Sequence, residues 1–212
     1  MNFTLRQGEV VTLLGRNGAG RTTTLRAIMG LTGRRTGSIR INGVETIGAA
    51  PNKIARLGVG YCPEERGIFA SLSTEENLVL APRVTRTGGV SQLELYAMFP
   101  NLKERAKSPG TRLSGGEQQM LAIARILRTG ATLLLLDEIS EGLAPVTVDK
   151  LAMVIRELKT KGYTIVLVEQ NFRFSAGLAD RFCIMEHGRI VREFPQAELA
   201  SHMEELHLFL GV

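Results

Sequence analysis

The segment that most restricts the fold is Gly15-Arg16-Asn17-Gly18-Ala19-Gly20-Arg21-Thr22, set between a strand-like run, Glu9 to Leu14, and a helical pattern, TTTLRAIMGL. Glycines at 15, 18 and 20 let the backbone turn tightly and aim its N–H groups inward. The following helix adds a positive N-terminal end, so the whole suits phosphate oxygens. A strand, a glycine turn and a helix in that order are the opening of an α/β protein with a parallel sheet. A tight strand-to-helix turn without a ligand fits the same text.

The segment matches the phosphate-loop pattern GxxxxGK[ST] except that Arg21 stands at the lysine position. Gly15, Arg16, Asn17, Gly18, Ala19, Gly20, Arg21, Thr22 and Thr23 are the candidate phosphate-binding residues, and the Thr22 hydroxyl is a candidate ligand of Mg²⁺. Arginine keeps the charge but replaces a compact ammonium by a wide planar fork. A guanidinium there is expected to crowd a γ-phosphate or to be pushed aside, leaving binding intact and rapid hydrolysis in question.

The 212 residues suit one domain or a core with one inserted lobe, and 44% hydrophobic residues against 22% charged ones exclude a wholly disordered chain. The longest apolar stretches, such as LLLL at 133 to 136, are far short of the roughly 20 residues of a membrane span. The start has no signal-peptide pattern. Cys62 and Cys183 lack metal-site spacing and read as reduced core thiols. A formal charge of +5 admits an anionic partner, but no stretch concentrates five or six basic residues, and a solvated surface is the plainer reading.

Strands are expected at Phe3 to Leu5, Glu9 to Leu14, SIRING (38–43), LGVGYC (57–62), TLLLLDEI, TIVLVE, RFCIME and GRIVRE. From about Ser71 the pattern turns helical. STEENLVLA opens with a capping box, Ser73 and Glu76, and SQLELYAMF follows Gly88-Gly89. APVTVDKLAMVIRELKTKG is a long helix with proline near its start and glycine at its end. A further helix to about Ala179 and short helices to Val212 complete the chain. The implied organisation is a nucleotide-type α/β core over 1–70 and 129–212 with a helical lobe over 71–128.

Asp137 and Glu138 end the apolar strand. Adjacent carboxylates there suit metal coordination by the first and activation of a water by the second, although a strand running into a solvated loop is the commoner fate of such text. LSGGEQQ at 113–119 brings Ser114, Gly115 and Gly116 to a helix start able to receive a phosphate, or to serve as an ordinary N-cap.

In this order and spacing, GRNGAGRT, LSGGEQQ and LLLLDE resemble the nucleotide-binding subunit of ATP-binding cassette (ABC) transporters, over essentially the whole chain. YCPEERGIFASLSTEENL, LYAMFPNLKER, SEGLAP, LVEQN and LHLFLGV are similar to the second ATPase of branched-chain amino acid importers, and related urea and amide importers share much of this text. The resemblance implies a P-loop NTPase fold that binds ATP and Mg²⁺. It implies a head-to-tail dimer, with itself or a sister subunit, in which Ser114 and Gly116 reach ATP on the opposite chain. It further implies Glu64 near Mg²⁺, Asp137 as metal ligand, Glu138 as catalytic base, SEGL (140–143) between the two sites and Gln170 at the switch position. Gln170 can hydrogen-bond a phosphate but cannot act as acid or base near neutral pH.

Three departures stand out: Arg21 for lysine, Ile139 for the proline after the acid pair, and a start close to the phosphate loop. The last implies a missing N-terminal strand and adenine-stacking aromatic, since Phe3 lies too near Gly15. Ile139 is expected to loosen the turn at Glu138. His187, His202 and His207 read as surface or turn residues; Arg34 and Arg35 fit either an added attraction for phosphate or lipid or, the plainer reading, a solvated turn. Ile68, Phe69, Leu78 and Tyr96 fit either a permease-docking groove or a lobe core.

The expected function is the ATPase subunit of an importer of branched-chain amino acids or a related small polar solute. It would lie peripherally on the cytoplasmic face of the inner membrane, with integral-membrane permease partners and, indirectly, a periplasmic solute receptor. The alternative is a degenerate nucleotide-binding regulatory or assembly subunit with little hydrolysis because of Arg21. ATPases of translation or DNA repair, which usually carry tandem cassettes or coiled coils, do not fit this length, and no nucleic-acid partner is expected.

Overall fold

A computed structural model describes residues 1–84 and 88–210. The strands are β1 (Val10–Leu14), β2 (Arg40–Ile41), β3 (Val44–Glu45), β4 (Val59–Cys62), β5 (Leu133–Asp137), β6 (Thr164–Val168), β7 (Arg181–Glu186) and β8 (Arg189–Pro195). The α-helices are α1 (Arg21–Ile28), α2 (Pro51–Ala55), α3 (Thr74–Val79), α4 (Gln92–Met98), α5 (Pro100–Glu104), α6 (Gly115–Thr129), α7 (Pro145–Thr160), α8 (Phe172–Ala176) and α9 (Met203–Leu210). Six strands form one sheet in the order β4-β5-β6-β1-β7-β8, parallel throughout except for the antiparallel pair β7–β8. β2 and β3 form a separate hairpin.

Period-two alternation explains why the central strands are apolar on both faces. In β5, Leu134 and Leu136 join Ile165 and Leu167 of β6 on the face covered by α6 and α7. Leu135 joins Val166 and Val168 on the face that meets Leu25 of α1 and Ile54 of α2. The helical lobe does not form its own closed core: Leu78, Leu95, Phe99 and Leu102 continue the α6–α7 cluster. Capping boxes start α3 at Ser73, α4 at Ser91 and α6 at Ser114. Among the described residues, no helix is long and apolar enough to cross a membrane.

Thr12 of β1 is fully buried and its hydroxyl has no hydrogen-bond partner. An unpaired hydroxyl in a dry core costs about 1–3 kcal/mol. Thr12→Val is therefore expected to raise stability by about 1 kcal/mol in urea unfolding; an unchanged or lowered midpoint would show that the hydroxyl is satisfied in solution.

Four expectations are corrected. Residues 3–5 form no strand: among the described residues no strand pairs with them, although Leu5 packs beside the β1 core and the Thr4 carbonyl accepts from Arg181. In SIRING only Arg40 and Ile41 pair, because Asn42 and Gly43 already form the turn to β3. Arg35 is no solvated turn residue, since its guanidinium donates to the carbonyls of Ala27, Thr46 and Ala49 and ties α1 to the loop before α2. His202 stacks on Phe194 with ring centroids 4.3 Å apart, and its Nδ1 lies 3.1 Å from Glu205. Leu78 is a core residue, whereas Phe69 stays about half exposed beneath the Arg125 guanidinium. Val212 lies outside the described residues. Both cysteines are buried and free.

Candidate functional site

The parallel register sets the ends of three strands side by side: Leu13 of β1 and Asp137 of β5 both flank Val168 of β6. The segments that follow converge at the carboxyl edge of the sheet, where open α/β sheets bind their ligands. A cleft of about 380 Å³ lies there, lined by residues 17–23, Glu64, Glu138, Glu141 and Gln170.

Close approach explains the glycine at one end of the phosphate loop: a Cβ on Gly15 would sit 2.5 Å from the Met185 carbonyl oxygen of β7. Gly20 takes a left-handed φ of 99° as the cap of α1, which leaves the first N–H groups of that helix facing the cleft. The β7–β8 turn braces the loop through the Gly188 N–H, which donates to the Ala19 carbonyl at 2.8 Å.

Arg21 does not lie along the phosphate loop. Its guanidinium is buried and folds across the sheet end, with Nη1 donating to the Glu169 carbonyl at 2.9 Å and Nη2 to Glu138 Oε1 at 3.0 Å. A weaker bond at 3.4 Å reaches Asn17. The wide fork is thus anchored at the sheet end, on the Glu169 carbonyl and Glu138. Arg16 also turns away, donating to the carbonyls of Leu208 and Phe209 at the end of α9.

Thr22 and Asp137 meet: the threonine hydroxyl donates to Oδ1 at 3.0 Å, and Tyr61 donates to Oδ2 at 3.1 Å. Burial raises the Asp137 carboxyl above its ordinary value, opposed by those two hydrogen bonds. Burial and the Asp137 charge push the Tyr61 phenol up, so it remains a donor. Glu138 has both carboxylate oxygens engaged, Oε1 by Arg21 and Oε2 by the Gln170 amide at 2.8 Å. Burial raises its carboxyl, Glu141 adds to the rise, and the Arg21 charge opposes it. Ile139 is buried, and Glu138 has a left-handed φ of 48°.

Ser114, Gly115 and Gly116 stand outside this cleft, at the start of α6. Ser114 Oγ accepts from the Glu117 N–H at 3.3 Å and the Ser114 N–H donates back to Glu117 at 2.8 Å. A Cβ on Gly116 would meet Thr147 Cγ2 at 2.4 Å, so a side chain at 116 would require the Thr147 side chain of α7 to move. Glu64 is exposed on the cleft wall.

Tyr61 and Glu169 were not singled out from sequence. Tyr61 pairs with Leu135 in the register of β4 on β5, and only that register brings its phenol to Asp137. Glu169 is almost fully buried and accepts from the Ser140 N–H at 3.0 Å and hydroxyl at 2.7 Å. Its signal is weak: one acid at the end of a run of five strand residues.

Burial lifts the Glu169 carboxyl from 4.5 to about 7, against the two Ser140 hydrogen bonds. The folded chain therefore keeps a proton that the unfolded chain has lost. The corresponding stability is whole below about pH 4.5 and declines as pH rises to about 7. Urea unfolding at pH 5 and pH 8 is expected to show a decline that Glu169→Gln reduces by up to about 3 kcal/mol. An equal decline in both proteins would refute the buried-proton account.

The family model described as ABC transporter matches residues 1–141. The chain is 40% identical to the high-affinity branched-chain amino acid transport ATP-binding protein BraG of Pseudomonas aeruginosa, over 98% of this chain and 90% of that one. The chain belongs to the ABC transporter family.

As an ABC ATPase it binds ATP with Mg²⁺ and hydrolyses ATP in a cycle coupled to transport. It is also 32% identical to a probable branched-chain amino acid transport ATP-binding protein, LivF, of Archaeoglobus fulgidus, over 98% of this chain and 89% of the relative. A dimeric ATP-binding cassette in a post-hydrolysis state bound to ADP and Pi superposes with a TM-score of 0.81 at 25% identity, covering 92% of this chain and 88% of that one. The α/β fold with its mainly parallel sheet is the ABC nucleotide-binding fold. The alternative of a degenerate regulator with little hydrolysis gains no support from the family or its members.

The site chemistry fits the nucleotide and the metal. Thr22 and Asp137 present hard oxygens 3.0 Å apart, the kind of partial ligand set that Mg²⁺ completes with phosphate and water. Mg²⁺, when bound, neutralises charge on the phosphate oxygens. The loop N–H groups and the α1 terminus supply the remaining attraction.

Proposed function

We propose that the chain is the ATP-hydrolysing subunit of an importer for branched-chain amino acids or a related small polar solute such as urea or an amide. It works peripherally on the cytoplasmic face of the inner membrane, beside integral-membrane permease subunits and, indirectly, a periplasmic solute receptor. The observation that supports this reading is the likeness to BraG along nearly the full length of both chains.

In this reading the backbone of residues 15–23 cradles the phosphates, Thr22 and Asp137 hold Mg²⁺ with Glu64 nearby, and Glu138 activates the attacking water. Each carboxylate oxygen has two lone pairs, so Glu138 can accept from that water while Arg21 and Gln170 hold its orientation. Gln170 then hydrogen-bonds the terminal phosphate. Ser114, Gly115 and Gly116 act on the nucleotide of a second subunit, either a copy of this chain or a sister ATPase. That assignment suits their place at a helix start outside the chain's own cleft.

The test is uptake into vesicles carrying the cognate permease and receptor, with labelled leucine, isoleucine, valine, urea and short amides. ATP-dependent uptake of one of these is expected. Transport of none of them, with another solute carried instead, would overturn the solute assignment.

A further inference from the structure

Glu138 is a non-glycine residue in the left-handed region, a conformation that persists only where the surroundings enforce it. Two ties to the end of β6 do so. The Glu138 N–H donates to the Val168 carbonyl at 2.9 Å, and two residues later Ser140 gives both its N–H and its hydroxyl to the Glu169 carboxylate. Ile139, between them, is buried and brings no ring to restrict its own φ. The Glu169 side chain spends its hydrogen-bonding capacity on Ser140 and the Asn171 N–H. Its main-chain carbonyl takes Arg21, whose other nitrogen holds Glu138 Oε1. The residue after it, Gln170, holds Oε2. The end of β6 thus reaches Glu138 from several sides, and the part the Glu169 side chain plays is the hold on Ser140, two residues beyond Glu138.

We propose that Glu169 is a positioning residue for hydrolysis, clamping Ser140 so that the 138–140 turn keeps Glu138 aimed into the nucleotide cleft. The proposal rests on Glu138 being the base. Glu169→Leu keeps the volume and removes the clamp, whereas Glu169→Gln keeps both bonds, with its amide oxygen accepting from the Ser140 N–H and its amide nitrogen donating to the hydroxyl.

Phosphate release by the assembled transporter is expected to show kcat about 10-fold or more lower in Glu169→Leu, with KM for ATP and nucleotide affinity within about twofold. Glu169→Gln is expected to restore kcat to within about threefold of the unaltered protein, and Ser140→Ala to give an intermediate loss. Hydrogen exchange on the nucleotide-free chain supplies a readout independent of turnover. Protection of the Ser140 amide is expected to fall about 10-fold in Glu169→Leu and to hold in Glu169→Gln.

Unchanged kcat and exchange in a folded Glu169→Leu protein would overturn the proposal, as would a glutamine variant as slow as the leucine one. If Glu169→Leu does not fold, Ser140→Ala decides, and an unaltered kcat there overturns it equally. Failure of the base assignment is separable: Glu138→Gln would then hydrolyse ATP normally while the Ser140 amide still lost protection in Glu169→Leu.

Discussion

Glu138→Gln is expected to lower steady-state phosphate release by about 10²- to 10⁴-fold while nucleotide still binds. The substitution keeps the shape of the side chain and an oxygen for Arg21 but removes the basicity that draws a proton from water. The burial that raises the Glu138 carboxyl makes its ionised form a better base than an exposed glutamate, so the loss falls on a poised group. The Arg21 and Gln170 contacts lie on opposite oxygens and hold the carboxylate plane, so a glutamine there is oriented but inert. Titration of nucleotide binding beside phosphate release separates the two effects. Retention of more than about a tenth of the original kcat with normal affinity would sink the base assignment.

Arg21→Ala is expected to destabilise the chain by about 3 kcal/mol, since truncation leaves the Glu138 carboxylate nearly buried without its cation. The same change strips the Glu169 carbonyl of its 2.9 Å donor and leaves a cavity at the sheet end. Because the cleft admits water near Glu138, the effect belongs at the lower end of the range for buried pairs. Urea unfolding of Arg21→Ala, Glu138→Ala and the double variant forms a cycle. The double variant should be less destabilised than the sum of the singles by about 1–2 kcal/mol. Additivity within about 0.3 kcal/mol would show that the pair does not couple in solution. Arg21→Lys extends the cycle: an ammonium cannot span the Glu169 carbonyl and Glu138 as the fork does, so the lysine should leave Glu138 and enter the phosphate loop, raising phosphate release. Unchanged release would mean that the arginine is no handicap.

Much of the fold is legible in particular stretches of text. LLLLD and TIVLV are buried on both faces, and only a central parallel strand between two helical layers uses such runs. Ser73, Ser91 and Ser114 each precede a glutamate by three, and each starts a helix. The failures share a cause. Phe3 and Leu5 alternate as a strand would, yet a strand exists only where another lends hydrogen bonds, and among the described residues none pairs with them. Arg35 and His202 read as surface residues because their partners, three carbonyls and a phenylalanine ring, lie elsewhere in the chain or carry no sequence signal.

For the site the division falls differently. The residues of the phosphate loop and of the acid pair identify themselves in sequence because backbone turns, helix starts and adjacent carboxylates are local features. The direction of Arg21, the phenol on Asp137 and the clamp from Glu169 to Ser140 span 117, 76 and 29 residues. Local chemistry thus determined which groups this protein has for holding phosphate and metal. Only the register of β4, β5, β6 and β1 decided which of them meet, because a parallel sheet joins strands remote in sequence and a shift of one residue would turn every side chain to the other face.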